Sequence, residues 1–266
     1  YSKKLEIRKS ANFESDLIIG VYYLKNEKHE LAHKYFSKLK NRKSNFLLND
    51  FVSTSLLNWN SFKNLDLNLA QNKINDINSR FENLKAIQNV FLHCFYQSEK
   101  TEFLFENLVA NKNSNFSRYN YFYALYLSSI GKVEKEKKIL EKAVNLYPRN
   151  LLLNQYKLDL DNSKPVRDFN CQNLSHVIAE ILYITANALS SQQIFSLSNF
   201  YLNISKFLND NFNSFDTLLA ENFYNIDNLT QAKKIYSAVG KKGSAYHWFA
   251  AKQNANILIQ EKKETL

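Results

Sequence analysis

Apolar residues along this chain never settle into a sustained alternation with polar ones, and no hairpin dipeptide such as Asn-Gly occurs. Both absences argue against strands and leave helices as the expected element throughout. Helix starts are marked by Asp227-Asn228 before Leu229 and by Ser214 before Phe215, residue types that cap orphan amide groups. Gly131 and Gly240 follow helical segments, where a left-handed C-cap is useful. Residues 151–160 read as a helix without a mate. It is followed by a break at Asn162-Ser-Lys-Pro165 and a loop to about Asn173, because Pro165 disfavours helix in itself and in the residue before it. Ala245 to Gln260 reads as one last helix with no partner, ending in a charged tail.

The helices repeat. Ile19-Gly20-x-x-Tyr23 is followed by Ala32-x-x-x-Phe36, and Leu219-Ala220-x-x-Phe223 by Ala232-x-x-x-Tyr236. In both copies the first apolar residue lies 13 positions before the Ala and 17 before the closing aromatic. A third copy reads Tyr123-Ala124-x-x-Leu127, then Gly131, Leu140, Ala143 and Pro148. Small residues let two helices cross closely while the rings fill the space around them. These marks resemble the tetratricopeptide-repeat (TPR) family. Units begin near Phe13, Leu47, Lys85, Ser117, Ala179 and Asn213, separated by 34, 38, 32, 62 and 34 residues. The unit near Leu47 is the least faithful, with Asp66 where a small residue is expected.

The resemblance implies an all-α fold: a right-handed superhelical solenoid of antiparallel helix hairpins with a C-terminal capping helix. Residues 1–162 would form N-terminal TPR-like repeats, 163–174 an irregular linker loop, and 175–266 C-terminal repeats with the cap, in one continuous solenoid. It also implies a non-catalytic scaffold or adaptor that binds a partner protein or peptide in a concave groove, with no cofactor and no metal. Carried over by position, the groove candidates are Phe51, Asn58, Asn89, His93, Tyr96, Arg118, Tyr121, Leu125, Tyr183, Asn187, Glu221 and Tyr224, beside Leu17, Val21, Leu24 and Ser55. Packing between units is the competing role for each. Leu17 and Val21 stand where some family members use Lys and Asn to clamp a terminal carboxylate, so that kind of tail binding is disfavoured.

Composition narrows the rest. With 45% hydrophobic residues the chain is too apolar to be disordered, and 4 Gly and 2 Pro leave little for Gly-rich phosphate loops or linkers. The net charge of +10 raises the question of nucleic acid, and RNA binding by a helical-repeat surface is the competing expectation. Lys outnumbers Arg by 29 to 6 and Asn reaches 36. An AT-rich bacterial coding bias is the expected source of that excess, so nucleic acid is the weaker expectation. Lys34, Lys38, Lys40, Arg42 and Lys43 suit a helix C-terminus, where cations are favoured. The sequons at Asn115, Asn173, Asn203 and Asn228 are about what chance gives in so Asn-rich a chain.

Little catalytic chemistry is visible. His29 and His33 lie one helical turn apart, but a metal would need further ligands, and an exposed face between Lys28 and Lys34 accounts for them. His93 and Cys94 are adjacent and do not face each other on a helix. The spacing of Cys94 and Cys171 neither demands nor forbids a disulfide. Glu134 and Lys138 are expected to pair at the solvated start of a helix. No apolar run reaches the length of a transmembrane span. The chain begins at Tyr1 without Met, as a processed product or a fragment would. It is expected to be soluble, either cytoplasmic or, if a signal peptide was removed, periplasmic.

Overall fold

The computed structural model describes residues 12–42, 46–166 and 168–264. Among them there are helices and turns and no strands. In chain order the helices are α1 Phe13–Lys25, α2 His29–Asn41, α3 Leu47–Ser61, α4 Leu67–Asn75, α5 Glu82–Phe95, α6 Thr101–Ala110 and α7 Tyr119–Ser129. Then follow α8 Val133–Leu146, α9 Leu151–Asp161, α10 Leu174–Ser191, α11 Phe195–Leu208, α12 Ser214–Asn225, α13 Leu229–Val239 and α14 Ser244–Glu264. Six hairpins result, α1–α2, α3–α4, α5–α6, α7–α8, α10–α11 and α12–α13, with α9 and α14 outside the pairing.

The hairpins share one turn. Glu27, Gln97, Gly131, Gln193 and Asp227 all adopt positive φ, between 53° and 75°. In each case the next amide donates at 2.9 Å to the carbonyl five residues back: Lys28 to Tyr23, Ser98 to His93, Lys132 to Leu127, Ile194 to Leu189 and Asn228 to Phe223. That is the Schellman closure, which satisfies carbonyls the helix end leaves open. Gln97 to Gly131 and Gln193 to Asp227 are each 34 residues apart, so the period of the side-chain marks also exists in the backbone. The α3–α4 hairpin departs from it with a short 3-10 turn at Phe62–Asn64. Asp66 is polar because it caps α4, accepting from the Leu69 amide at 2.9 Å.

Packing explains the small residues. A Cβ built on Gly20 would lie 2.5 Å and 2.8 Å from ring atoms of Phe36, and Phe36 is fully buried. Only a residue without a side chain lets α1 and α2 approach this closely. Ala124, Ala143, Ala220 and Ala232 are likewise enclosed.

Consecutive helices pack in order from α1 to α9 and again from α10 to α14. The second series also lies against the first. Helix α10 packs on α3 and α5, α11 on α1, and α14 on α9. A continuous apolar cluster therefore runs from Leu17 to Leu219, with a small satellite of Ala220, Ala232, Tyr236, Ala250 and Ile257 under α14.

Four local expectations are corrected. Ser214 lies inside α12, whose N-cap is Asn213, and its hydroxyl serves a more distant group. Gly240 has a right-handed φ of −60°. The last helix does have partners, α13 and α9, the latter through a bond from the Ala245 amide to Gln155 Oε1 at 3.0 Å. Glu134 pairs with Lys137 one turn on, at 3.7 Å, rather than with Lys138. Lys132 and Lys135 instead reach back to Glu102 on α6 at 2.5 Å, and Lys135 also to Glu106. These bonds hold both carboxyls below the usual range.

A non-glycine residue at positive φ is strained by about 1 kcal/mol or more. Glu27→Gly and Gln193→Gly, both at exposed sites, should each raise the urea-derived unfolding free energy by about 0.5–1 kcal/mol. An unchanged or lower value would show that these turns carry no strain.

Candidate functional site

The two helix series meet at Arg118, the residue that opens α7. Its Nε donates to Glu180 Oε1 at 2.7 Å and its Nη2 to Glu180 Oε2 at 2.8 Å. Nη2 also donates to Ser214 Oγ at 2.9 Å. One guanidinium thus joins α7, α10 and α12. It stacks 3.9 Å from the centroid of Tyr183 and lies 5.0 Å from Phe212. Glu180 has no solvent access and Arg118 little. Burial pushes the Glu180 carboxyl up, and Arg118 pulls it back. Burial alone would lower Arg118, but the Glu180 carboxylate outweighs it and holds the guanidinium above its ordinary value. Two forked bonds to a fixed cation make the ionised pair the stable state.

The loop between α9 and α10 is fastened across the same seam. Asp168 accepts from the Tyr121 hydroxyl, and its carbonyl accepts from Asn209 Nδ2 at 2.8 Å. Burial raises both Tyr121 and Asp168, in each case as the leading cause. Phe169 inserts among Phe91, Phe122 and Phe212 at centroid distances of 4.6–6.5 Å. Cys171 forms a disulfide with Cys94 on α5, closing 77 residues of chain. Nothing in the sequence spacing pointed to that bond.

Beside this seam lies an open cleft of about 1070 Å³. Its walls come from α5, the segment before α7, from α9, α10 and α12, and from α14. Four of the twelve expected groove residues line it: Arg118, Tyr183, Asn187 and Glu221. The others lie elsewhere. Phe51, Tyr121 and Leu125 are buried in the apolar cluster, as are Leu17, Val21 and Leu24. Asn58 donates to the Lys73 carbonyl at 2.9 Å. His93 bridges Ser98 and Gln71 at 2.9 and 3.2 Å, and burial lowers its pKa, with Lys100 adding to the effect. The Tyr96 hydroxyl donates to the Phe62 and Leu65 carbonyls. Asn89 is half-buried, and Tyr224 packs on the satellite cluster.

The cleft also uses residues the repeat pattern did not mark. Asn83, Asn115, Asn150 and Asn154 bring amides to it, and α14 supplies Tyr246, Trp248 and Phe249. Trp248 is 75% exposed, an unusual setting for so large an apolar ring. Arg149 and Lys252 stand exposed at its edge. Glu221 is the one acidic residue among its lining positions. It is half-buried and has no hydrogen bond or ion pair among the described residues. Burial pushes its carboxyl above the usual range.

The basic stretch at the end of α2 is partly neutralised. Lys40 pairs with Asp50 at 2.5 Å, Arg42 pairs with the buried Asp16, and Lys38 lies 4.5 Å from the Tyr35 ring. Lys43 lies outside the described residues. Among those residues no group of His, Cys, Asp and Glu is placed to hold a metal ion, and no helix is long and apolar enough to cross a membrane. No protein-family model matches the chain, and no curated protein matches it.

Removing one partner of a buried pair strands the other. Arg118→Ala or Glu180→Ala should therefore cost about 3–5 kcal/mol in urea unfolding. The double variant Arg118→Met with Glu180→Leu should recover most of it. Additive losses would mean that the two charges are uncoupled. Cys94→Ser with Cys171→Ser should cost about 4 kcal/mol through loop entropy. Retention of full stability by that variant would deny the cross-link a structural role.

Proposed function

We propose that the chain is a TPR-like, right-handed superhelical solenoid that works as a non-catalytic adaptor and holds an extended segment of a partner protein in the cleft. The observation that carries this is the cleft itself. At about 1070 Å³ it stands at or beyond the upper end of small-molecule sites. Its lining sets Asn amides beside the exposed Trp248 ring and the half-buried Phe249 and Tyr183. Asn83, Asn115 and Asn150 each spend an amide oxygen, and Asn154 its amide nitrogen, on internal bonds, which leaves their other amide edge and the exposed Asn187 for an extended backbone, while Trp248 offers apolar area with little entropy to lose. No constellation of nucleophile, base and orienting group accompanies these residues. Glu180, Tyr119 and Tyr121, whose ionisations are perturbed by burial first, sit in packing contacts.

Mutations that leave the seam intact make the better test. Trp248→Ala combined with Asn187→Ala should weaken retention of a partner protein by about tenfold or more. Circular dichroism and the unfolding midpoint should stay unchanged, because both side chains are exposed. The measurement is affinity capture from the source lysate, with and without nuclease. Recovery of nucleic acid without any protein would overturn the adaptor assignment in favour of RNA binding.

A further inference from the structure

We propose that the cleft selects partner segments bearing a basic side chain, whose ammonium or guanidinium group seats against the Glu221 carboxylate. This rests on the partner-binding role given above and names its specificity.

The protein carries +10 net charge, yet the one acidic residue lining the cleft is left without a cation. An exposed Arg or Lys without a partner costs nothing, since water solvates it, so Arg149 and Lys252 carry no such signal. A carboxylate withdrawn from water without a partner does cost. Arg118 lines the same cleft but pairs with Glu180 rather than with Glu221, its Nε and Nη2 donating to Glu180 and Ser214 at 2.7–2.9 Å. Burial is what chiefly raises Tyr183 and Tyr236, and the Glu221 charge adds to both. Tyr183 and Tyr246 share the same cleft. A half-buried, unpaired carboxylate lining the cleft fits an alkylammonium or guanidinium, which gains an ion pair there. The aliphatic stem of Lys or Arg would lie along the apolar wall. A free polyamine presents the same cation but no backbone for the Asn amides.

The probe is a library of unstructured heptapeptides, each Lys- or Arg-containing member paired with its norleucine counterpart, together with spermine as a free polycation. Binding to the intact protein is read by fluorescence anisotropy, with spermine scored as a competitor. Basic members should bind about tenfold tighter than their norleucine mates, and Glu221→Gln should abolish that difference. Gln keeps the size of Glu and breaks no bond, so the variant should fold as the parent does. Affinity for neutral peptides should be unchanged by it. Peptide binding without a basic preference, or a preference that survives Glu221→Gln, overturns the proposal and leaves the adaptor role standing. Spermine alone binding, with no peptide bound, overturns both. Absence of any binding likewise overturns both.

Discussion

A guanidinium and a carboxylate taken out of water lose several kcal/mol each, and only close, forked geometry offsets that loss. Arg118 and Glu180 have such geometry, and their positions give it consequence. One sits at the start of α7 and the other on α10, 62 residues apart, with Ser214 of α12 drawn in as a third contact. Apolar contacts between helices tolerate sliding and repacking. A buried ion pair does not, because a small shift strands a charge. The register between the two helix series is therefore set here, and the cleft beside it inherits that rigidity. Tyr183, which stacks against the cation, lines the same cleft as Glu221.

Around this point the chain departs from a simple stack. In a one-dimensional array each repeat touches only its neighbours. Here α10 reaches α3 and α5, α11 reaches α1, and α14 reaches α9. The 163–173 segment makes this possible. It carries Phe169 into a ring cluster, Asp168 to Tyr121 and Cys171 to Cys94, so it joins the series rather than merely spacing them.

Legibility in the sequence followed distance along the chain. Gly20 with Phe36, and Ala232 with Tyr236, were readable because each pair lies within one hairpin and the spacing recurs. The ends of α9 and the start of α10 were readable from Pro165 and Asn173, since caps and breaks act locally. Arg118 with Glu180 and Cys94 with Cys171 were not, because nothing local records which of many charges or thiols will meet. Positive-φ turns were hidden for a different reason: only Gly131 of the five advertises its conformation. Of the cleft's lining, Arg118, Tyr183, Asn187 and Glu221 are the positions that repeat geometry marked. The α14 residues were missed because that helix, with little amphipathic contrast, gave no sign of a partner.

The disulfide has a further, mechanical meaning. Cys94 and Cys171 are 77 positions apart, and the segment between them holds α6, α7, α8 and α9. Under tension applied to the two ends of the chain, force bypasses this ring through the sulfur–sulfur bond. At about 3.4 Å per extended residue, roughly 260 Å of contour is withheld from stretching. Four helices and one wall of the cleft, together with Arg118, thus form a strain-shielded block, while the flanking helices bear the load.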